Sequence, residues 1–405
     1  MEYDLIIIGA GAAGLFAGAR ASAAGLGFCI LESRKQSGLK LLASGSGQCN
    51  LTNALDIHSW PPRYGKAHRF VKPALLEWTN EDLVSFFEQA GLPCEDRGDG
   101  KIFPVSRNSR DVRDLLQKLC LQGRGRIFWK ETARSIEKKG SLFTVHTDKG
   151  TYSASHVLIA AGGKSYPSTG SSGDSYTLAA GLGHSIVTPV PALTPVFISP
   201  FPLTGSSGTA LPVDITVFRE HRKVNRFEGD LLITHKGFSG PVILNNSRDL
   251  IPGDELHISW LPGMNREDLD SFVLQNIRES GKKSLPSGLA LKGIPDTLLR
   301  GLLKKAELDC ELKMNQLSRN MRQDFLKVML DSCFTVGSLG GFNQAMVTAG
   351  GVSLKEVNAR TMESKKCGGL YIAGEALDVD GETGGYNLQF AFSSAALAVK
   401  NMAAR

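Results

Sequence analysis

The first pattern along the chain is a run of apolar residues that ends in a cluster of glycines. Residues 3–8 (YDLIII) are mostly apolar, which is typical of a parallel strand buried on both faces. Residues 15–25 are rich in small side chains and compatible with a helix, and the apolar segment 28–31 ends at Glu32. This order predicts one strand–helix–strand unit at the beginning of the chain.

The next part of the chain alternates between helical and strand-like patterns. Apolar residues at helical spacing predict helices over 71–91, with Asn80 as an N-cap candidate, and over 109–121. Residues 126–150 alternate as antiparallel strands, and 156–161 form another buried apolar strand that ends in glycines. The chain is therefore expected to return to a buried sheet after a charged helical stretch and a meander.

A change of composition in the second half predicts an inserted domain. From about 189 to about 332 the chain is first proline-punctuated and strand-like, then helical and basic. After Phe334 the glycine-rich α/β pattern resumes. We therefore predict a discontinuous nucleotide-binding domain, 1–190 and 335–405, and an insert, 191–334, that is β-rich in its first half and helical in its second half.

The glycine cluster after the first strand reads GAGAAG and fits a dinucleotide-binding motif. Gly9 makes a tight turn, Gly11 lets the backbone approach a pyrophosphate, and Gly14 allows close helix–strand packing. Glu32 lies 18 residues past Gly14, where a carboxylate accepts ribose hydroxyls. The motif alone does not separate NAD from FAD, whereas NADP is disfavoured because Glu32 would repel a 2′-phosphate.

Two later stretches favour FAD over NAD. The strand in 156–163 follows a meander and ends in small residues, as in FAD domains of the glutathione-reductase type. The segment 369–381 (GLYIAGEALDVDG) ends a strand at Gly374 and Glu375, which puts a carboxylate near a ribityl chain. The glycine turn within 383–385 leads into an apolar helix, whose N-terminus is expected to face the N1–C2=O edge of the flavin.

Composition narrows the class of protein. The seven cysteines contain no CxxC pair, and the chain has no HExxH, P-loop, GxSxG or clustered His/Cys ligand set. These observations argue against a disulfide framework, a metal site, phosphoryl transfer and triad hydrolysis, and they favour a reducing, cytoplasmic setting. No basic leader precedes the first strand and no apolar run approaches ~18 residues, so no signal peptide or membrane span is expected.

The net charge of +6 is unevenly distributed. Residues 60–140 contain 16 Lys/Arg against 11 Asp/Glu, so this segment carries most of the excess. Two interpretations stay open. The charge is either scattered over an ordinary surface, or it forms a basic face for a phosphate-rich partner such as ribosomal RNA.

Seven segments occur in a specific order: GAGAAG, SGSGQCNLTN, GDGKIFPVS, LLITHKGFSGPVIL, MVTAGGVSLKEV, TMESK and LYIAGEALDVDGETGGYNLQFAFSS. Through these segments, which span nearly the whole chain, the protein resembles the YhiN/BaiN-like (HI-type) family of NAD(P)/FAD-dependent oxidoreductase flavoproteins. The resemblance implies an α/β fold, with a glutathione-reductase-type FAD-binding Rossmann domain and an inserted β-barrel plus helical domain. It implies FAD as cofactor. Because no second GxGxxG occurs, NAD(P)H would bind transiently on the flavin face or be absent.

The loop after the ribose acid departs from the family pattern at two positions. The family commonly reads GRKLLxSGGGRCNxTN, and this chain reads GLKLLASGSGQCNLTN. Lys40 matches the family lysine, whereas Ser46 replaces a frequent glycine and Gln48 replaces a frequent arginine. By resemblance the loop lies along the pyrophosphate or the isoalloxazine, so the Gln48 replacement removes a positive charge beside the flavin.

These motifs together give the predicted cofactor-binding residues. They are Gly9, Ala10, Gly11, Ala12, Ala13, Gly14, Glu32, Ser33, Lys40, Gly45, Ser46, Gly47, Cys49, Asn50, Ala133, Ala160, Ala161, Gly162, Gly374, Glu375, Gly384, Gly385, Tyr386, Asn387 and Leu388.

Four residues are candidates for catalysis beside the cofactor. Cys49 either packs against the flavin or acts as a thiolate or acid/base group, and without a nearby second cysteine a dithiol reductase is disfavoured. His235 lies in the insert and is either an active-site residue or a hydrogen-bonded structural one. Tyr386 and Asn387 are expected to contact the flavin through side chain or backbone.

Several hypotheses about the reaction and its substrate remain open. We expect an FAD-dependent oxidoreductase that transfers hydride through flavin N5, with a pyridine nucleotide as donor. The resemblance implies three substrates: a uridine in ribosomal RNA that is reduced to dihydrouridine, a small amine such as aminoacetone that is oxidised, or a steroid-type acid that is reduced. The basic segment 60–140 favours RNA over a small molecule. A flavin-binding sensor without turnover is an alternative of another class.

Overall fold

The computed structural model describes residues 2–404, in which strands and helices alternate. The strands are β1 (Glu2–Ile8), β2 (Phe28–Glu32), β3 (Thr52–Asn53), β4 (Cys94–Asp96), β5 (Lys101–Pro104), β6 (Gly125–Trp129), β7 (Ala133–Lys139), β8 (Leu142–Thr147), β9 (Thr151–Ile159), β10 (Ile186–Ala192), β11 (Val196–Phe197), β12 (Ala210–Arg219), β13 (Arg222–Ile233), β14 (Gly237–Ser239), β15 (Glu255–Ser259), β16 (Ser332–Thr335), β17 (Ser338–Leu339), β18 (Val347–Val352) and β19 (Leu370–Ile372). The helices are α1 (Ala12–Ala23), α2 (Leu39–Ala43), α3 (His68–Glu77), α4 (Asn80–Gln89), α5 (Ser109–Cys120), α6 (Asp174–Gly181), α7 (Pro241–Leu244), α8 (Arg266–Ser280), α9 (Leu285–Leu289), α10 (Asp296–Lys305), α11 (Arg319–Leu330) and α12 (Tyr386–Ala403). Within residues 2–404, none of these helices combines the length and the apolar character that a membrane span requires.

The chain divides into two compact units. Unit 1 contains the residues up to Ala192 and those from Phe342 onward, and unit 2 contains Leu193–Gly341. The sequence placed the end of the insert at 334, seven residues earlier. The difference arises because β16 pairs with β15 and β17 pairs with β11, so the chain continues the sheet of unit 2 beyond the predicted boundary.

The main sheet of unit 1 combines parallel strands with an antiparallel meander. Its order is β6-β2-β1-β9-β8-β7, and β19 also pairs with β9. β1 is parallel to β2 and to β9, β2 to β6, and β19 to β9, whereas β7, β8 and β9 are antiparallel. The predicted strand–helix–strand start and the predicted α/β Rossmann fold are therefore confirmed.

The register of the parallel strands aligns their carboxyl ends. Ile8 at the end of β1 lies level with Leu31 in β2 and with Ile159 in β9, and Ile159 lies level with Ile372 in β19. Each strand is followed by a loop that leaves the sheet at this edge. In an open α/β sheet, ligands bind outside the carboxyl ends of the strands, so this edge is where a cofactor site is expected.

The long helix predicted over 71–91 is two helices in the structure. α3 ends at Glu77 and α4 begins at Asn80, with Thr79 rather than Asn80 as the N-cap. The Thr79 hydroxyl accepts from the N–H of Asp82, and the Asp82 carboxylate accepts from the N–H of Thr79, which forms a capping box. Two reciprocal hydrogen bonds thus begin a new helix where apolar spacing alone predicted continuity.

Helix α12 is buried along most of its length against α1 and α3. Its polar side chains are satisfied inside the protein. Gln389 accepts from the hydroxyl of Thr52 at 2.6 Å and donates to the carbonyl of Trp78 at 3.0 Å, and Ser393 donates to the same carbonyl at 2.6 Å. These bonds remove the cost of burying polar groups, and they fix α12 relative to β3 and the end of α3.

Unit 2 is a seven-stranded antiparallel sheet packed with helices. The strand order is β16-β15-β12-β13-β14-β11-β17, and α8 to α11 lie between β15 and β16 in the chain. Aromatic residues form part of its core: Phe238 and Phe334 meet edge-to-face with ring centroids 5.1 Å apart, and Trp260 packs on both. The unit therefore has its own hydrophobic core.

Candidate cofactor site

Two glycines of the GAGAAG motif stand where no larger residue fits. Gly9 has φ of +99°, and a Cβ there would lie 2.6 Å from the Cα of Ala161. A Cβ on Gly14 would lie 1.8 Å from the carbonyl oxygen of Gly9. Both clashes involve backbone atoms that cannot rotate away. Glycine is therefore required at both positions for β1, α1 and β9 to pack together.

The third glycine of the motif, Gly11, faces open space. No atom lies within 4 Å of a Cβ built there, and Gly11 is the N-cap of α1 with no side-chain hydrogen bond to the helix. The first N–H groups of α1 therefore have no capping side chain, and they carry the positive end of the helix dipole. An open backbone cradle at an uncapped helix N-terminus suits a diphosphate.

Glu32 closes β2 and directs its carboxylate toward this glycine loop. Its Oε2 accepts from the N–H of Ala10 and its Oε1 accepts from the N–H of Arg34, each at 2.8 Å. The hydroxyl of Ser33 lies 3.4 Å from Oε1. Burial raises the pKa of Glu32, and these hydrogen bonds to the charged form oppose the rise. A carboxylate has further acceptor sites at each oxygen, and they suit ribose hydroxyls.

Lys40 and Glu375 are 335 positions apart in the chain and meet in the structure. Nζ of Lys40 lies 2.5 Å from Oε2 of Glu375, whose Oε1 accepts from the N–H of Thr348 at 2.8 Å. Gly163 makes room for them, because a Cβ there would lie 2.8 Å from Oε1 of Glu375 and 2.5 Å from the hydroxyl of Thr348. Two predicted cofactor residues are thus paired directly, and beside Glu375 lie two residues, Thr348 and Gly163, that the sequence did not predict.

Two further ionisable residues beside this pair were also missed. Burial raises the pKa of Tyr176 in α6, and the charge of Glu375 raises it further. Burial also raises the pKa of Asp378, whose carboxylate accepts from the N–H of Gly350 at 3.0 Å, while the charge of Lys66 opposes the rise. The segments that contain Asp378 and Gly350 were recognisable by resemblance, but the pattern did not show which side chains turn inward.

The SGSGQCN loop has several residues in the left-handed backbone region. φ is +55° at Gly45, +56° at Ser46, +87° at Gly47 and +62° at Cys49. This conformation costs a non-glycine residue about 1–2 kcal/mol. Ser46 and Cys49 therefore hold local strain that the rest of the structure compensates, and such strain is concentrated at functional sites.

Cys49 is completely buried in this loop. Burial raises the pKa of its thiol to about 12, so the thiol is protonated at neutral pH. This state favours packing over thiolate chemistry. The neighbouring side-chain oxygen of Gln48 is also buried, and it has no hydrogen-bond partner within residues 2–404. Such an acceptor is costly to leave unpaired, and a donor group of a bound cofactor would satisfy it.

The amide of Asn387 closes the loop that precedes α12. Its Oδ1 accepts from the N–H of Gly381 at 2.8 Å, and its Nδ2 donates to the carbonyls of Gly381 and Glu382 at 2.9 and 3.2 Å. The Tyr386 ring is buried and meets Trp60 edge-on, with centroids 4.7 Å apart. Both predicted side chains thus bind protein groups, and the backbone at the start of α12 remains for contact with a cofactor.

The start of α12 lies against the SGSGQCN loop and β3. Gly385 is the N-cap with φ of +99°, and a Cβ there would lie 2.5 Å from the carbonyl carbon of Thr52. With its amide oriented to satisfy its neighbours, Asn50 accepts from the N–H of Gly385 at 3.1 Å and donates to the carbonyl of Thr52 at 2.9 Å. The loop and the helix N-terminus, both predicted to touch the flavin, are therefore in direct contact.

Other predicted residues lie at the strand ends or outside this group. Ala160 follows β9, with its N–H donating to the carbonyl of Ile8 at 2.9 Å, and Ala133 is buried at the first position of β7. His235 belongs to unit 2, where it lies exposed on the turn between β13 and β14. It is therefore not one of the unit 1 residues that surround the glycine motif.

The groups at the carboxyl edge of the unit 1 sheet fit a flavin dinucleotide. The open cradle at Gly11 suits the diphosphate and the buried carboxylate of Glu32 suits a ribose. The unpaired oxygen of Gln48 offers an acceptor for a hydroxyl or N–H group. These features come from three separate segments that the fold brings together.

The chain resembles known proteins over nearly its whole length. Residues 3–401 match the family described as HI0933-like protein Rossmann domain. The chain is 32% identical over 399 residues to a ribosomal RNA dihydrouridine synthase of Escherichia coli, covering 97% of this chain and 96% of that protein. It is 30% identical over 410 residues to a 3-dehydro-bile acid delta(4,6)-reductase of Clostridium scindens, covering 98% of each. Its fold is similar to that of a 3-ketosteroid delta1-dehydrogenase from Sterolibacterium denitrificans, with a TM-score of 0.51 and 13% identity. The match covers 100% of this chain and 99% of that chain.

Alanine substitutions in the glycine motif should separate cofactor binding from folding. Gly11→Ala places its methyl group in open space, so we expect a folded chain that binds FAD at least about tenfold more weakly, a loss of ~1.4 kcal/mol. Gly14→Ala drives its methyl into the carbonyl of Gly9, so we expect loss of the folded chain itself. Flavin titration measures the first effect, and circular dichroism of the apoprotein measures the second. Gly150→Ala, whose added methyl group also meets open space, is the control. Unchanged FAD affinity in Gly11→Ala contradicts the assignment of the Gly11 cradle to the diphosphate.

Replacing Ser46 by the glycine that is frequent in the family should stabilise the protein. Glycine adopts φ of +56° without the Cβ penalty, so we expect Ser46→Gly to raise the free energy of unfolding by about 0.5–1 kcal/mol. Ser46→Ala keeps the Cβ and should bring no such gain. Denaturant unfolding of both variants compares them, and a Ser46→Gly protein less stable than wild type would show that the left-handed strain is absent.

Proposed function

The chain belongs to the HI0933-like family and is an FAD-dependent oxidoreductase, and we propose that its substrate is a uridine in ribosomal RNA. On this proposal it reduces the uridine to dihydrouridine, and NAD(P)H is the reductant. The observation that carries the RNA assignment is an exposed row of basic residues attached to the start of α12.

The relatives point to one reaction class. Dihydrouridine is uridine with its C5–C6 double bond reduced, and that bond is conjugated with the C4 carbonyl. A 3-dehydro-bile acid delta(4,6)-reductase is likewise named for the reduction of double bonds in a ketone. Both names support addition of hydride and a proton to a carbon–carbon double bond conjugated with a carbonyl group.

The basic row begins beside the proposed flavin end of the site. Trp60 packs on Tyr386, and the hydroxyl of Tyr64 donates to the carbonyl of Tyr386 at 2.8 Å. These contacts fix residues 60–64 against the first turn of α12. The basic residues that follow are therefore held on a rigid element next to the backbone that is proposed to face the flavin.

The cations of this row are exposed and have no salt-bridge partners. Lys66 precedes α3, and Arg69 and Lys72 lie three positions apart on it, so the latter two share one helix face. None of the three forms an ion pair with another group in residues 2–404. The charge of Lys66 opposes the rise in the pKa of Asp378, so Lys66 lies within electrostatic range of that residue. Unpaired cations in a row attract a phosphate backbone.

The chain's own groups have separate roles in this proposal. Bound FAD would supply the hydride. The Gly11 cradle and Glu32 would hold its dinucleotide portion, while the Lys40–Glu375 pair and the α12 N-terminus would lie along the rest of the cofactor. Positive potential at the α12 N-terminus favours negative charge nearby. The basic row would bind the RNA backbone and so position a uridine without reading its sequence.

The basic row can be tested by removing its charge. In a Lys66→Ala, Arg69→Ala, Lys72→Ala variant we expect the KM for a ribosomal RNA fragment to rise and the log–log salt slope of RNA binding to fall by about 2–3. Reduction of the flavin by a pyridine nucleotide should stay unchanged. A Lys355→Ala, Arg360→Ala, Lys365→Ala variant removes three exposed cations of unit 1 that lie outside residues 60–140 and is the matched control. Equal salt slopes for the two variants, or dihydrouridine that persists in ribosomal RNA when the gene is deleted, would overturn the RNA assignment.

The electron donor is tested on the purified holoprotein without oxygen. We expect NADH or NADPH to bleach the flavin absorption band, and subsequent addition of ribosomal RNA to restore it. The absence of bleaching with either nucleotide contradicts NAD(P)H as donor. Bleaching that a 3-keto steroid with conjugated double bonds reverses, and RNA does not, assigns the site to the chemistry of the bile-acid relative instead.

A further inference from the structure

A cluster of potential metal ligands lies on the outer face of the unit 2 sheet. A carboxylate oxygen of Glu255, a ring nitrogen of His257 and the sulfur of Cys333 all lie within 4.8 Å of one another. We propose that these three residues form a binding site for a zinc-like divalent cation. The sequence predicted no metal site, because Cys333 is 76 positions from His257 in the chain.

Strand pairing brings the three residues to one face. β15 and β16 are antiparallel neighbours in which His257 lies directly opposite Cys333. Glu255 is two positions before His257 on β15, so both side chains leave the same face of the sheet. Leu256 and Ile258, which alternate with them along β15, are buried in the core. The cluster is therefore fixed by the register of two paired strands rather than by a flexible loop.

The orientation of His257 is set by a fourth residue. Its Nδ1 lies 2.7 Å from Oδ1 of Asp331, and its Nε2 lies 3.8 Å from Oε2 of Glu255. A carboxylate that accepts the Nδ1 proton leaves Nε2 unprotonated and facing the other ligands, which is the usual arrangement around a metal-bound histidine. The Phe218 ring packs on the imidazole with centroids 4.7 Å apart and restricts its rotation.

The ligand types and spacings suit zinc or a similar borderline cation. Zinc binds thiolate, imidazole and carboxylate at about 2.0–2.3 Å in tetrahedral geometry, which sets ligand atoms about 3.3–3.8 Å apart. The Nε2–Oε2 separation already falls at the end of that range, and side-chain rotations of about 1 Å bring the sulfur into it. Lys305 and Lys327 lie near the thiol, and the carboxylates of Glu255 and Asp331 offset their charge.

The site borders a cleft, which would leave one coordination position open. The cleft has a volume of about 480 Å³, and His257 and Asp331 line it together with residues of β12 and β13, Lys223 and Arg226 among them. Three protein ligands leave a fourth tetrahedral position for water or for a ligand that occupies the cleft. The same cation would also join β15 to β16.

Equilibrium dialysis of the FAD-loaded protein against Zn²⁺, followed by elemental analysis, tests the proposal. We expect one tightly bound equivalent in the wild type, and its loss in His257→Gln and in Cys333→Ser. In Asp331→Asn, which keeps all three ligands, we expect the affinity to fall by about 10–100-fold. Cys310→Ser and His221→Ala change the same residue types elsewhere in unit 2 and should leave the equivalent in place.

A second readout reports directly on the sulfur ligand. With Co²⁺ in place of Zn²⁺, the wild-type holoprotein should show a sulfur-to-cobalt charge-transfer band in the difference spectrum, and Cys333→Ser should not. A wild type that binds no stoichiometric Zn²⁺ or gives no sulfur band overturns the proposal. So does a sulfur band that persists in Cys333→Ser with native circular dichroism, because the metal would then lie on another thiol.

Discussion

β1 pairs in parallel with β2 on one side and with β9 on the other, and this pairing brings Ile8, Leu31 and Ile159 to the same level. The arrangement is possible only because the chain can turn at Gly9 and because Gly14 lets α1 lie against that turn. The glycine cradle, Glu32 and the loop after β19 are neighbours because the strands that precede them end together.

The site in unit 1 relies on backbone more than on reactive side chains. Cys49 is buried and protonated, Asn387 binds the loop before it, and Lys40 is paired with Glu375. Asn387 and the Lys40–Glu375 pair each order one segment against another. A site built in this way positions a cofactor, which carries the redox chemistry itself. Differences in substrate among relatives would then lie in the surfaces around the cofactor, such as the basic row that includes Arg69 and Lys72.

Different physical constraints determine the packing of the two units. In unit 1 glycines permit close approach of backbone, and many positions tolerate no Cβ. In unit 2 a conventional antiparallel sheet buries one face against helices and leaves the other face polar. That polar face holds the Glu255, His257 and Cys333 cluster and the cleft beside it.

The sequence by itself determined the features that depend on neighbours in the chain. GAGAAG between an apolar run and a helical segment predicted the Rossmann start, and the change of composition near 189 predicted the insert. Local patterns did not determine contacts between distant segments. Three features appear only once strands and helices have packed. They are the Lys40–Glu375 pair, the break of the 71–91 helix at Thr79 and the end of unit 2 at Gly341. The reason is that hydrogen bonds, burial and strand register join residues by distance in space, and only the tertiary structure sets that distance.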